Sequence, residues 1–109
     1  MATVSGTSVI ETDAFTATWE LTEADTGRAV SMTEFPDKTV QVTGTFGGGN
    51  ILIEGSNDGS NWASLHDYAG TALNLTDTSL TLIAENPAQL RPRATAGAGM
   101  SVTIRIIGV

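Results

Sequence analysis

The single histidine of this chain, His66, lies two residues after Ser64 and directly before Asp67, the three residue types of a nucleophilic triad. On an extended strand the side chains at 64 and 66 share a face while 67 points away, so this adjacency does not assemble a triad. His66 reads as a surface histidine beside a turn. A zinc centre needs several His or Cys ligands, and the chain has one His and no Cys. Asp58 with Asn57, or Glu23 with Asp25, could offer oxygens to calcium, yet neither pair has the spaced acids of a calcium loop. Gly47-Gly48-Gly49 could be mistaken for a phosphate cradle. It joins strand to strand, without a following helix or a Gly-Lys-Ser/Thr. Trp19 and Trp62 could stack on a sugar, but aromatics of small β domains more often fill or flank the core. No catalytic, cofactor-binding or metal-binding residue is assigned, and no enzyme or cofactor is expected.

The elements that position these residues are strands. Asn57-Asp58-Gly59 is a strong turn signal, because these residues tolerate positive φ at least strain. It separates Asn50–Glu54, rich in β-formers, from Trp62–Leu65, which predicts a hairpin. Phe15, Ala17, Trp19 and Leu21 alternate onto one face. Val40, Val42 and Phe46 do the same, as do Met100, Val102, Ile104 and Ile106, with Thr103 and Arg105 outward. Ala29–Met32 is a weaker strand, and Ser79–Ala84 another. Leu90–Ala94 alternates too, but Pro92 has no N–H to give a ladder, which predicts an edge or a bulge there. The total is about eight or nine short strands with turns about every ten residues, the pattern of an all-β antiparallel sandwich of jelly-roll type without a substantial helix. Residues 1–13 read as an N-terminal arm or edge strand, with Val4, Val9 and Ile10 its only sizeable apolar groups, and residues 14–109 as a single sandwich domain.

Composition narrows the partners. The 109 residues suit one domain, and at 40% apolar they can fill one core. Charged residues are only 16%; seventeen threonines and twelve glycines make up the difference, favouring pleated surfaces and turns. No apolar run is long enough to span a membrane, and the first residues lack the basic and apolar regions of a signal peptide. The formal charge of −7 argues against nucleic acid as a partner. All twelve acids fall within residues 1–85, while residues 86–109 hold Arg91, Arg93 and Arg105 and no acid. One reading of this asymmetry is a basic strand pair that docks on an acidic surface.

An ordered series of blocks carries a resemblance: Thr18-Trp19-Glu20-Leu21, Asp25-Thr26-Gly27, Val40 through Gly48, Glu54 through Trp62, Glu85-Asn86-Pro87 and Leu90-Arg91-Pro92. Together they resemble a family of small tailed-bacteriophage head decoration, or cement, proteins. The resemblance implies a β-rich protein, often trimeric, that clamps neighbouring major capsid subunits from outside. The implied partners are the major capsid protein and further copies of the chain, as a homotrimer. The implied location is the capsid exterior of the virion, with host cytoplasm before assembly. On this reading the contact residues are Val4, Val9 and Ile10 of the arm and Arg91, Arg93 and Arg105 of the basic strands. A phage tail component would carry similar blocks. A second resemblance, to discoidin-like carbohydrate-binding modules, rests on the Ser-Asn-Asp-Gly-x-x-Trp hairpin of residues 56–62, the Arg91-Pro92-Arg93 strand and the final apolar strand at Val102–Ile106. It implies glycan binding as the alternative.

Overall fold

The structure, a computed structural model, describes residues 2–10 and 14–109. The remainder of the expected N-terminal arm, residues 1 and 11–13, lies outside the described residues. The described residues form eleven strands: β1 Thr3–Val4, β2 Thr7–Ile10, β3 Phe15–Thr22, β4 Thr26–Gly27, β5 Lys38–Thr45, β6 Ile51–Ser56, β7 Ala63–Ser64, β8 Asn74–Leu75, β9 Ser79–Ile83, β10 Gln89–Ala94 and β11 Ser101–Gly108. The count exceeds the sequence-based one because the expected arm holds two strands, β1 and β2, and because β4, two residues long, is too short for a periodicity to register. Ala29–Met32 yields only an isolated bridge between Val30 and Leu90.

One sheet runs β2-β3-β11-β5-β9; the other runs β1-β4-β10-β6-β7, with β8 also paired to β6. From β3 to β6 each successive strand changes sheet, and β9, β10 and β11 alternate again. This is the jelly-roll connection, in which two Greek keys wrap one core. The hairpin expected around Asn57–Gly59 is present, with Glu54 opposite Ser64 and Gly55 opposite Ala63.

The strands form here because each offers an apolar face to the same interior. Phe15, Ala17, Trp19 and Leu21 of β3, Val40 and Val42 of β5, and Val102, Ile104 and Ile106 of β11 are buried from one sheet. Ile51, Ile53, Leu90 and Ala94 meet them from the other. Trp19 is 1% exposed, and its indole N–H donates to the Arg28 carbonyl at 3.0 Å, so its one polar atom is satisfied inside the core.

Two features depart from expectation. Pro92 lies in a central strand, between β4 and β6, not at an edge. Its flanking partners explain this. Leu90 exchanges both backbone bonds with Val30, and the Ala94 N–H donates to the Asp25 carbonyl at 2.8 Å. Pro92 falls between those contacts, where its missing N–H would have faced β4. Gly27 supplies the space for the ring: a Cβ there would sit 2.7 Å from two Pro92 ring carbons and 2.9 Å from Trp19 Cδ1. The second departure is Lys38, only 1% exposed at the start of β5. Its ammonium donates to Asn86 Oδ1, and burial pushes its pKa down. Asn86 in turn donates to the Thr33 carbonyl at 3.1 Å, so the lysine closes one end of the core and fastens two loops there.

Gly27→Ala is expected to cost about 1–3 kcal/mol by overpacking, measured as a shift in urea midpoint. An unchanged midpoint would mean that β4 can move away from Pro92 without loss.

Candidate functional site

Three constellations of polar side chains lie outside the core. The first is the hairpin tip. Ser56 Oγ donates to Asp58 Oδ1 at 2.9 Å, the Ser60 and Asn61 N–H groups donate to the same oxygen at 2.8 Å each, and Asn61 Nδ2 donates to Asp58 Oδ2 at 2.7 Å. The Asn61 and Ser60 donors hold the Asp58 carboxyl well below its usual range. Gly59 takes φ +78° within this turn, the left-handed conformation that glycine allows cheaply. Asn57 Oδ1 accepts from the Ala88 N–H at 2.9 Å. The oxygens considered for calcium are thus committed to turn geometry. Asp25 is similarly used: it accepts from the Thr22 N–H at 2.9 Å and the Thr22 hydroxyl at 2.8 Å, which lower its pKa.

The second constellation is His66 with Glu85. Glu85 Oε1 accepts from the His66 N–H at 2.7 Å, and Oε2 lies 2.6 Å from His66 Nδ1. Burial raises the Glu85 pKa, but the bonds from the His66 backbone and ring outweigh it, leaving the carboxyl below its ordinary value. Ser64 and His66 line one open cleft with Glu85. Ser64 Oγ makes no hydrogen bond to the imidazole among the described residues, and Asp67 bonds instead to the Ala69 and Thr71 N–H groups. The carboxylate partner of His66 is therefore Glu85, nineteen residues away, not Asp67, and the attacking hydroxyl of a triad is not in place.

The third constellation was not found from the sequence. β10 and β6 pair with Arg91 opposite Glu54 and Arg93 opposite Leu52. Leu90, Pro92 and Ala94 point inward, so Arg91 and Arg93 point to the outer face of the six-stranded sheet, as does Glu54. Arg91 Nε donates to Glu54 Oε1 at 3.2 Å and Arg93 Nε to Glu54 Oε2 at 3.1 Å. The Glu54 side chain is 9% exposed, against 24% and 37% for the arginines. The Arg91 guanidinium also stacks on Trp62, 4.0 Å from the ring centroid, a cation–π contact that fixes both groups. Trp62 is thus a half-buried platform for Arg91, and one ring face is already covered. Nε of each arginine is committed, while their terminal nitrogens make no hydrogen bond among the described residues. Two guanidiniums against one carboxylate leave one unit of positive charge, held in fixed orientation on an acidic protein.

The six expected contact residues do not form one patch. Val4 lies in β1 on the six-stranded sheet; Val9 and Ile10 lie in β2 on the five-stranded sheet. Arg91 and Arg93 face outward from the first sheet and Arg105, in β11, from the second, where its Nε donates to Thr18 Oγ1 at 3.3 Å. The arginines close in sequence are split across the sandwich because β10 and β11 belong to different sheets.

No group of three or more His, Cys, Asp or Glu side chains that could hold a metal is present among the described residues. The space between the sheets, which some β-barrels keep for a ligand, is filled by Trp19, Leu21, Ile51, Ile53, Leu90 and Ile104. Among the described residues, no helix is long and apolar enough to cross a membrane.

No protein-family model matches the chain, and no curated protein matches it in sequence. Several solved structures share its fold. The SPBc2 prophage-derived protein YomS superposes with TM-score 0.65 at 14% identity, over 92% of this chain and 97% of that one. A cupin domain from Bordetella pertussis Tohama I gives 0.53 at 14% identity, over 96% and 92%. An RmlC-like cupin protein from Desulfovibrio desulfuricans gives 0.52 at 10% identity, over 96% and 81%. The fold is the cupin-like jelly roll, found also in a protein of prophage origin.

Two outcomes are expected. Glu54→Gln should lower stability by about 2 kcal/mol in chemical denaturation, because two partly buried guanidiniums lose their counter-charge. Stability should be level at neutral pH and fall on acidification below about pH 4, since Asp25, Asp58 and Glu85 have folded pKa values below their unfolded ones. Thermal melts across pH 7 to about 2.5 check this; a melt unchanged through that range would contradict it.

Proposed function

We propose that this protein is a phage capsid decoration protein, which binds the outer surface of the head and stabilises contacts between major capsid subunits. The observation that carries the reading is where the polar chemistry sits. Apart from Lys38 at one end the interior is apolar, and on its outside the Arg91–Glu54–Arg93 platform with Trp62 holds two guanidiniums in fixed orientation. A protein built this way works through its surface. It has the parts of a binding module.

The phage context is supported by the ordered blocks that resemble decoration proteins and by the whole-length likeness of fold to a prophage-derived protein. The cupin neighbours show that the same fold serves other proteins. The partner suited to the platform is an acidic patch of the capsid lattice, read by the free guanidinium nitrogens. Repetition over the lattice would multiply a weak single contact. Glycan binding is less well supported, because Arg91 occupies one face of the Trp62 ring that a sugar would need.

The test is quantitative mass spectrometry of purified virions of the phage that encodes the chain, counting it against the major capsid protein. About one copy per capsid subunit, the stoichiometry of symmetric lattice binding, is expected. A handful of copies would move the protein to the tail, and absence from the particle would remove the decoration reading.

A further inference from the structure

The outer face of the five-stranded sheet differs from the rest of the molecule. Strand register builds it in transverse rows. One row runs Val9, Thr16, Ile107, Thr39, Leu82 across all five strands. The next runs Thr7, Thr18, Arg105, Gln41, Leu80. Four of the seven exposed large apolar side chains of the described residues, Val9, Leu80, Leu82 and Ile107, lie in these two rows. Leu80 is 68% exposed and Leu82 45%, and both sit on β9, an edge strand without a charge or a proline to guard it. Native sheets usually carry such guards, and an unguarded apolar edge pairs with something.

Charge selects the occupant. The chain carries −7 overall, so most approaches of one copy to another are repulsive. This face is balanced: among the described residues its five strands turn outward one acid, Glu20, and one base, Arg105. Lys38, the other base in these strands, points into the core. Glu20 is opposite Thr103 and Arg105 opposite Thr18, so the two charges are diagonal neighbours on β3 and β11. A two-fold axis lying in the contact plane midway between them would place each Arg105 over the Glu20 of the other copy. In projection the face covers roughly 500 Å², from strand spacing and rise. Its corrugated accessible area approaches the roughly 800 Å² that each partner contributes to a standard interface.

We infer that the outer face of the five-stranded sheet is a self-association surface, on which a second copy of this chain packs face to face about a two-fold axis. Contact of a face with itself is isologous and closes at two copies. The apolar row from Val9 to Leu82 supplies the buried area, and the Arg105–Glu20 pairs fix the register. The six-stranded sheet, with Arg91 and Arg93, remains outward on both copies. This inference does not depend on the capsid reading.

The experiment is sedimentation equilibrium of the whole chain over a concentration series reaching the high micromolar range. A mass of twice the chain is expected. Leu80→Glu with Leu82→Glu should give a monomer with unchanged far-UV circular dichroism. Glu20→Arg and Arg105→Glu should each weaken the dimer about tenfold, and their combination should restore it. The charge variants keep the test decisive if the leucine variant fails to fold. A monomer throughout the series, or an oligomer that ignores both sets of substitutions, would overturn the inference. So would a leucine variant unchanged in mass that no longer binds capsids, which would assign the face to the capsid.

Discussion

Strand β11 holds the molecule together through two ladders of eight residue pairs, one with β3 and one with β5. Val102, Ile104 and Ile106 reach the centre of the core with 0–1% exposure. Each stands opposite a residue of β3 and a residue of β5, so those two strands belong to one sheet because β11 lies between them. The five-stranded sheet, its outer face and the filled interior all depend on that placement. The six-stranded sheet is less regular. Its edges are two-residue strands, its central β10 contains a proline, and it depends on the Glu54 ion pairs and on Gly27 for closure.

Much of this organisation is legible in the residues. Where a strand is long and one face is dry, the period-two pattern identifies both the strand and its inward side, as for Phe15 to Leu21 and Met100 to Ile106. The Asn57-Asp58-Gly59 turn is legible because its chemistry is local: each donor to Asp58 lies within three residues. What was not legible is pairing across the fold. Leu90–Ala94 alternates clearly, yet its neighbours decide whether Pro92 is tolerated, and the decisive one is Gly27, in a strand of two residues. Arg91, Arg93 and Arg105 look like one basic segment until register and sheet assignment separate them.

Glu54 shows where a signal was available. Arg91 and Arg93 alternate with inward residues, so both must leave the strand on the same face, and a carboxylate on a neighbouring strand is the natural partner. The run Ile51-Leu52-Ile53-Glu54 offers such a carboxylate in the midst of apolar residues. Only the register identifies it as the residue opposite Arg91. Lys38 carries no comparable signal: nothing in Asp37-Lys38-Thr39 distinguishes a lysine that caps the core from one that points to water. His66 likewise has only Ser64 and Asp67 beside it in sequence, while its partner, Glu85, comes from just beyond the end of β9.

The jelly-roll order also governs how the chain reaches this state. β3 and β5 emerge early in synthesis with apolar faces that have no long-lived partner until β11 exists. Closing so many distant pairings carries a large loop-entropy cost, and folds dominated by them form in about milliseconds to seconds, not microseconds. A nascent or newly released chain therefore spends time with Phe15, Trp19, Val40 and Val42 uncovered. In a cell making many copies at once, that interval is when chains stick to one another. The low aromatic content, the many threonines and the net negative charge slow such encounters without weakening the finished core. The composition that first reads as a plain, polar β domain thus also protects the chain while it is still incomplete.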